Sequence, residues 1–374
     1  MPAAAMSALH WTIAGAPALA GCAQEWNALV AAARYPPLLR SEVLLAALDA
    51  FGDRSELLAL GRSEGRLVFA GLLRRAGPGR WRVFQPSQLP LGACVLARGC
   101  EWQAVLASLT RALPGIALSV RVSQQDPRLA PRPADSPRLG TRDYLATGWI
   151  DVDRSFEEFW RARGKNLRQN LRKQQRRLEG QGAGVSFEFL QEEAGLLEAL
   201  RDLAQLEGSG WKGAMGTALS LDNAQGRFYR QVLLAFARDR AAYACRLRLD
   251  GRPIAAYFAI RDADAAVVLK TSYDESLRGF SPAQLLHARA FERHFAERDA
   301  SRIEFYGPLM EWHARWTDTS CMLYHVDYFR TPALRALREA ASTLAGVARR
   351  AARLRLTARP PSQAAPARSP GTAA

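Results

Sequence analysis

Cysteine is scarce in this 374-residue chain: there are five, an odd number, and no Cys-x-x-Cys pair. No histidine stands near them at zinc-ligand spacing, so local sequence builds neither a disulfide framework nor a zinc site, and no metal is expected. Cys22, Cys94, Cys100, Cys245 and Cys321 are read as reduced thiols of a cytoplasmic protein that pack as small hydrophobes. Long apolar runs are missing too, since nothing approaches the roughly 20 residues a membrane-crossing helix needs. Leu19-Ala20-Gly21-Cys22 spells a lipoprotein cleavage box, but the stretch before it lacks Lys and Arg and is broken by His10, Thr12 and Pro17. Export is therefore not expected. Acid is short as well: 36 Asp and Glu stand against 51 Lys and Arg, a net charge of +15. That balance favours anionic partners, whether a phosphorylated co-substrate, a nucleic acid or an anionic membrane surface.

What is present is enough apolar material, 48% of the residues, for two domains with cores of their own. Residues 24–33 and 41–51 have apolar positions at helical spacing, with Ser41 as the expected cap of the second helix. ELLALGRSEGRLVFAGLLRRAGPGRWRVFQ reads as three strands with glycine-containing turns, EWQAVLASLTRAL as a helix and GIALSVRVS as a strand. QQDPRLAPRPADSPRLGTRD has no apolar period and is rich in proline, which makes it the expected linker, with the boundary near residue 140. The second half repeats the order. SFEEFWRARGKNLRQNLRKQQRRLEGQG is one long helix or two, VSFEFLQ a strand, and EAGLLEALRDLAQLEGSGW and NAQGRFYRQVLLAFARD are helices. A hairpin with Asp250-Gly251 at its turn follows, then a third strand, a helix over QLLHARAFERHFAER, and strands at RIEFYG and YHVDYFR. The expectation is a tandem α+β fold: a unit over 1–140, a linker end over 141–150 and a second unit over 151–330. A basic amphipathic helix over 331–356 and an unfolded tail over 357–374 close the chain. On that helix Leu334, Leu337, Leu344 and Val347 share a face with Arg349, Arg350 and Arg353 nearby, which fits an anionic membrane surface or a helix packed on the domain.

The stretch YDESLRGFSPAQLL joins a strand to a helix, and such a turn aims unpaired amides and the positive end of the helix dipole at whatever lies above it. Gly279 lets the backbone approach a phosphate, Arg278 adds charge, Ser281 can cap the helix and Pro282 fits its first position. The same features also serve a plain connection. The run from RGKNLRQNLRKQQRRLEGQG through LDGRPIAAYFAI and YDESLRGFSPAQLL to IEFYGP resembles GNAT-type acyltransferases of the CelD branch, associated with cellulose and exopolysaccharide biosynthesis. FemAB-type transferases are more distant relatives of that pattern. The resemblance extends over roughly residues 24–330 and implies two GNAT-like units, each a mixed, mainly antiparallel sheet flanked by helices. It implies acyl-CoA, in the first instance acetyl-CoA, as co-substrate, lying in the gap between AAVVLKTS and RIEFYG with its pyrophosphate on LRGFSPA. The implied contacts are Lys270, Thr271, Arg278, Gly279, Phe280, Ser281 and Ala283. Two departures from the pattern stand out: one loop glycine is missing, with Ala283 where the branch has Gly, and His313 lies near the place of a Lys.

Acyl transfer needs a base for the attacking group, donors for the oxyanion and a donor for the leaving thiolate. Glu304 is a candidate base, Tyr306 and Tyr273 are candidate proton donors, and His313 is a second candidate base between Trp312 and Trp316. The bland reading pairs Glu304 with a surface arginine and packs the tyrosines in the core. His287 and His294 are expected on a helix surface, and Asp274 and Glu275 as capping or outward-facing residues. The basic run RARGKNLRQNLRKQQRR packs by Leu167, Leu171 and Leu178 and shows its arginines to solvent, to phosphates or to an RNA backbone. Three functions follow in order. The first is acyl transfer from acyl-CoA to an amine or hydroxyl of a saccharide- or envelope-related acceptor. The second is an aminoacyl-tRNA-dependent FemAB-like transferase, and the third a non-catalytic accessory factor of polysaccharide synthesis at the membrane.

Overall fold

Alternation of side chains along a strand and the helical period dictate most of what folds, and the computed structural model describes residues 8–180, 184–341 and 343. The strands are β1 (His10–Gly15), β2 (Leu57–Ser63), β3 (Arg66–Gly77), β4 (Arg80–Val83), β5 (Cys94–Leu96), β6 (Ser119–Gln125) and β7 (Leu139–Asp151), then β8 (Val185–Leu190), β9 (Ala242–Leu249), β10 (Arg252–Arg261), β11 (Ala266–Tyr273), β12 (Arg302–Glu304) and β13 (Ser320–Phe329). Their spatial order is β1-β2-β3-β4-β6-β13-β7-β12-β11-β10-β9-β8, with β5 paired to β3 off this path. Within it each half of the chain repeats one scheme. An antiparallel meander ends at a parallel pair, β4 with β6 in the first half and β11 with β12 in the second.

β10 shows why the second sheet is covered on both faces. Ala256, Phe258 and Ile260 join one core with Leu200, Leu203 and Val232 of the helices Glu193–Gly208 and Ala224–Ala237. Ala255, Tyr257 and Ala259 join another with Leu171 and Phe291 of the helices Lys165–Glu179 and Pro282–Glu297. Residues two apart share a face, so a strand apolar at every position needs a helical layer on each side. Asp250 and Gly251 at the β9–β10 turn have φ of 49° and 77°, the left-handed pair a two-residue hairpin demands.

The basic run divides into the helices Phe156–Ala162 and Lys165–Glu179, the first opened by a capping box of Ser155 and Glu158. Leu167, Leu171 and Leu178 are buried, as their spacing predicts. Ser41 is not the cap of its helix. Arg40 holds that position, while Ser41 is buried in the first turn with its N–H donating to Asn27 Oδ1 at 2.8 Å. A neighbouring helix thus supplies the acceptor that a capping serine would have brought.

Two segments read otherwise from sequence prove central. The proline-rich stretch after β6 packs between the halves, with Asp126, Leu129 and Ala130 buried. From residue 139 the chain then forms β7, which serves both sheets: residues 139–148 pair with β13, and 149–151 with β12. β13 in turn lies between β6 and β7, so the last strand of the chain completes the sheet of its first half. The cleavage-box stretch forms a 3-10 helix, Ala16–Cys22, with Leu19 buried, just after β1 pairs with β2. Among the described residues no helix is long and apolar enough to cross a membrane. Residues 332–341 are helical and Arg335 pairs with Asp135 at 2.7 Å. Most of the expected basic amphipathic face, from Leu344 onward, lies outside the described residues.

Candidate active site

β11 and β12 run parallel and pair at Ala266 with Ile303 and Val267 with Glu304. Beyond those positions they part. β11 stays with β10 as far as Tyr273, whereas the chain after Glu304 bends to β7, where the Phe305 N–H donates to the Gly148 carbonyl at 3.3 Å. Tyr306 carries a φ of 45°, a left-handed conformation that costs a non-glycine residue about 1–2 kcal/mol. The opening widens into a cleft of about 410 Å³ lined by residues 267–269 and 305–308, and walled from the first unit by residues 85–90, Gln124 and Tyr144.

At the other end of β11 stands the turn singled out in the sequence. It is a 3-10 helix, Glu275–Phe280, leading into helix Pro282–Glu297. Arg278 and Gly279 are exposed, and a side chain at 279 would meet nothing within 4 Å. Asp274 accepts the Ser276 N–H at 2.9 Å, the capping role expected of it. Ser281 does not cap through its side chain. Capping hydroxyls reach first-turn amides from extended backbone, and at φ 54° Ser281 has left that region; its carbonyl instead accepts the Gln284 and Leu285 N–H groups at 3.0 and 3.1 Å. The basic helix lies beside the turn, with the Arg177 guanidinium 4.8 Å from the Phe280 ring. Ala283 sits in the first turn of the helix. Lys270 pairs with the buried Glu207 at 3.1 Å, and Thr271 stands opposite Tyr257 in the β10 register.

Glu304 and Tyr306 meet in one buried network. Arg128 donates to both Glu304 oxygens at 3.0 Å and pairs with Asp126 at 2.5 Å, its guanidinium 3.8 Å from the Trp149 ring. The Tyr306 hydroxyl donates to Asp126 Oδ2 at 3.3 Å. Burial pushes the Glu304 carboxyl up while Arg128 pulls it back; burial, Glu304 and Asp126 push the Tyr306 phenol up. Burial disfavours the Arg128 charge, yet Asp126 and Glu304 outweigh it and raise its pKa. Glu304 thus pairs with an arginine, in the interior rather than at the surface. His313 is buried, its Nδ1 accepting the Met310 N–H at 3.0 Å and its ring 3.6 Å from that of Trp312. Burial lowers its pKa to about 4, so near pH 7 the ring is neutral, and with Nδ1 accepting, its proton sits on Nε2. Tyr273 lies at the exposed end of β11, apart from this group.

His287 and His294 are not on the helix surface; both are buried. Their face of the helix also carries Leu286, Ala290 and Phe291, and the His287 ring stacks between Phe291 and Trp312. Among the described residues no group of three or more His, Cys, Asp and Glu could hold a metal ion. Sequence reasoning passed over Asp126, Arg128, Gln124, Tyr144 and the 85–90 segment. The available signal was an Asp-Pro-Arg inside a stretch otherwise short of apolar residues, a pair of charges with no local reason to be there. A larger groove, about 770 Å³, lies under helix Pro282–Glu297 on the other face of the second sheet. Arg289 and Arg293 on its rim pair with Glu292 and Glu297 of their own helix, and it does not reach the parted strands.

The parallel pair β11 and β12, joined through turn and helix and opening after two positions, lies within residues 165–314, which match the family model described as Acetyltransferase (GNAT) domain. That segment is a GNAT acetyltransferase domain. The protein is accordingly an enzyme of the acyltransferase type, built from two GNAT-like units. No curated protein matches the chain. Among solved structures, FemX is 12% identical, with a TM-score of 0.52 over 84% of this chain and 97% of that one. The C-terminal DUF2156 domain of an Agrobacterium fabrum protein named for lysylphosphatidylglycerol synthetase is 15% identical, with a TM-score of 0.51 over 86% and 96%. A conserved protein of unknown function from Bacteroides thetaiotaomicron is 12% identical, with a TM-score of 0.51 over 82% and 97%. At these identities what is shared with the GNAT domain's neighbours is the fold.

Proposed function

We propose that the protein transfers an acyl group, in the first instance acetyl, from acyl-CoA to an amine or hydroxyl of a saccharide- or envelope-related acceptor. One observation carries the reading: β11 and β12 part immediately after Val267 and Glu304, and the strand that lines the gap ends in a turn whose Arg278 and Gly279 are exposed. In this reading the thioester end of the co-substrate enters beside residues 267–269, and its pyrophosphate rests on 278–283 at the start of helix Pro282–Glu297. Phe280 is held by Arg177, so the basic helix adds positive charge next to the phosphates. Lys270 and Thr271 flank the path along β11. Glu304 and Tyr306 position the β12 end of the gap through Arg128 and Asp126. The Nε2–H of His313 serves as a donor rather than a base, and Tyr273 lies near the phosphate end. The saccharide acceptor rests on the resemblance to the CelD branch, and the reading sets the protein in the cytoplasm, with peripheral contact to an anionic membrane through the C-terminal basic segment.

Acetyl-CoA is expected to raise the melting temperature of the purified chain, and Arg278→Glu to abolish that rise while leaving the unliganded melting temperature unchanged. A missing shift with every acyl-CoA tried would overturn the proposal. The aminoacyl-tRNA-dependent reading has its own support in the acid-free first turn of helix Lys165–Glu179 and in the fold shared with FemX. Retention on tRNA that fades with salt, without an acyl-CoA shift, is the result that would favour it.

A further inference from the structure

In the first unit the gap equivalent to the acyl-CoA slot is already filled. β4 and β6 run parallel through the pairs Arg80–Ser119, Trp81–Val120 and Arg82–Arg121. Beyond them the chain folds back into the opening: the Gly92 N–H donates to the Gln124 carbonyl at 3.4 Å and the Ala93 N–H to the Phe84 carbonyl at 3.2 Å. A Cβ on Gly92 would stand 2.4 Å from the Ser123 carbonyl oxygen, so only a glycine fits and no pantetheine arm can enter. The inserted loop, residues 85–90, is instead presented to the cleft at the mouth of the second unit's gap. Gln124, next to last in β6, has a left-handed φ of 48°, as Tyr306 with 45° follows β12. Each unit therefore bends its strand with a strained non-glycine residue, and both residues line one cleft.

The chemistry of that cleft is one-sided. Among the described residues none of its lining side chains carries a formal charge. The wall from the first unit carries the amides of Gln88 and Gln124 and the ring of Tyr144, which is 44% exposed, while the Gln85 amide donates to the Leu89 carbonyl at 3.2 Å and the Ser87 hydroxyl to Gln88 Oε1 at 2.9 Å. An ammonium or carboxylate would enter without a countercharge and would trade hydration for neutral neighbours. A neutral ring with hydroxyl groups finds donors, acceptors and an amphipathic aromatic face.

Resting on the acyl-CoA reading above, we infer that residues 85–90, Gln124 and Tyr144 form the acceptor subsite, that it takes a neutral, hydroxyl-bearing saccharide ring, and that transfer is to oxygen. The acceptor oxygen bonds to the thioester carbonyl carbon, the C–S bond breaks with its electron pair leaving on sulfur, and the proton lost by the hydroxyl ends on the coenzyme A thiol.

The test uses the full chain and two readouts. Acetyl-CoA binding is measured by calorimetry, and thiol release from acetyl-CoA is followed with a neutral β-linked glucose disaccharide or with glucosamine as acceptor. One acetyl-CoA per chain is expected, with turnover on the disaccharide and little on glucosamine at pH 7. Tyr144→Ala is expected to raise the disaccharide KM at least tenfold, and Gln124→Asn, which tolerates a left-handed φ, about threefold. Neither should change the acetyl-CoA Kd more than twofold. Two acetyl-CoA per chain, preference for glucosamine, absence of turnover on the disaccharide, or an unchanged KM in both variants would overturn the inference while leaving the acyl-CoA reading in place. Absence of acetyl-CoA binding would remove the acyl-CoA reading itself.

Discussion

At the scale of single residues, buried charge and buried imidazole determine what the interior tolerates. Arg128 pairs with two carboxylates at once, and both Glu304 and Asp126 have side chains that are essentially unexposed, at 1% and 0%. Removing the guanidinium leaves Asp126 with the Tyr306 hydroxyl at 3.3 Å and Glu304 with Arg302 at 3.3 Å, two buried carboxylates stripped of the cation they share, a loss of about 3–5 kcal/mol, whereas Glu304→Gln keeps a hydrogen-bonding group and sheds one charge. Urea unfolding is expected to rank Arg128→Ala well below Glu304→Gln in stability. Equal stabilities would mean that the pair contributes little. His287 gives the pH dependence. Burial, then His313, holds its pKa down at about 3, against an ordinary 6.5. The folded state thus keeps it neutral while the unfolded chain protonates it below pH 6.5. Its contribution is full above that value and fades as the pH falls toward 3, by about 2 kcal/mol at pH 5. His313, held at about 4 by burial, acts in the same direction. The urea midpoint should fall between pH 7 and pH 5, and His287→Phe should make the fall shallower; a variant with the wild-type pH profile would show that His287 does not titrate on unfolding.

At the scale of elements, the phosphate turn and the basic helix act as a pair, because Arg177 stacks on Phe280. Arg177→Ala removes a cation–π contact of about 0.5–1 kcal/mol at an exposed site. Acetyl-CoA affinity is therefore expected to fall two- to fivefold, with a weaker salt dependence than the wild type. An unchanged Kd in calorimetry across a salt series would separate the helix from the site. This scale also shows what sequence can reveal. Helix Ser41–Phe51, the β2–β3–β4 meander and the Asp250-Gly251 hairpin are legible because their period or turn chemistry is local. β7 is not: its residues 142–144 are exposed while 147 and 148 are buried, since the two ends serve different neighbours and no single alternation runs through it. β1 is hidden for a similar reason: its polar His10 and Thr12 interrupt what would otherwise be an apolar run. The turn at 275–281 was visible as strand, turn and helix. Arg128 to Glu304 spans 176 residues and Asp126 to Tyr306 spans 180, and no local pattern marks such partners.

At the scale of the whole molecule, the two units are interlocked by their last strands. β13 pairs with β6 on one side and with β7 on the other, and places Leu323, Tyr324 and Val326 in the apolar core that runs from the first unit onto one face of the second sheet. Tyr324 also accepts the Trp102 indole N–H at 3.0 Å and donates to the Ala130 carbonyl at 2.6 Å, so it ties the final strand to a helix and a loop more than 190 residues earlier. β7 then carries the connection onward, through Ile150 opposite Ile303 in the second sheet. Because neither sheet is complete without strands from both halves, unfolding one should expose the edges and core of the other, and a single cooperative transition follows. A chain ending after Thr343 retains every one of these contacts and is expected to melt once, near the wild-type temperature. Ending it after Thr319 removes β13 and opens the core of the first unit to water, with the loss of three fully buried side chains, each contributing about 1.5–3 kcal/mol. Their sum is comparable with the roughly 5–15 kcal/mol by which domains are ordinarily stable. The shorter chain should therefore lose its near-ultraviolet circular dichroism throughout, including the signal from Trp312 and Trp316 in the second unit. A second unit that stayed folded and bound acetyl-CoA without β13 would show that the exchange of strands joins the units without making them interdependent.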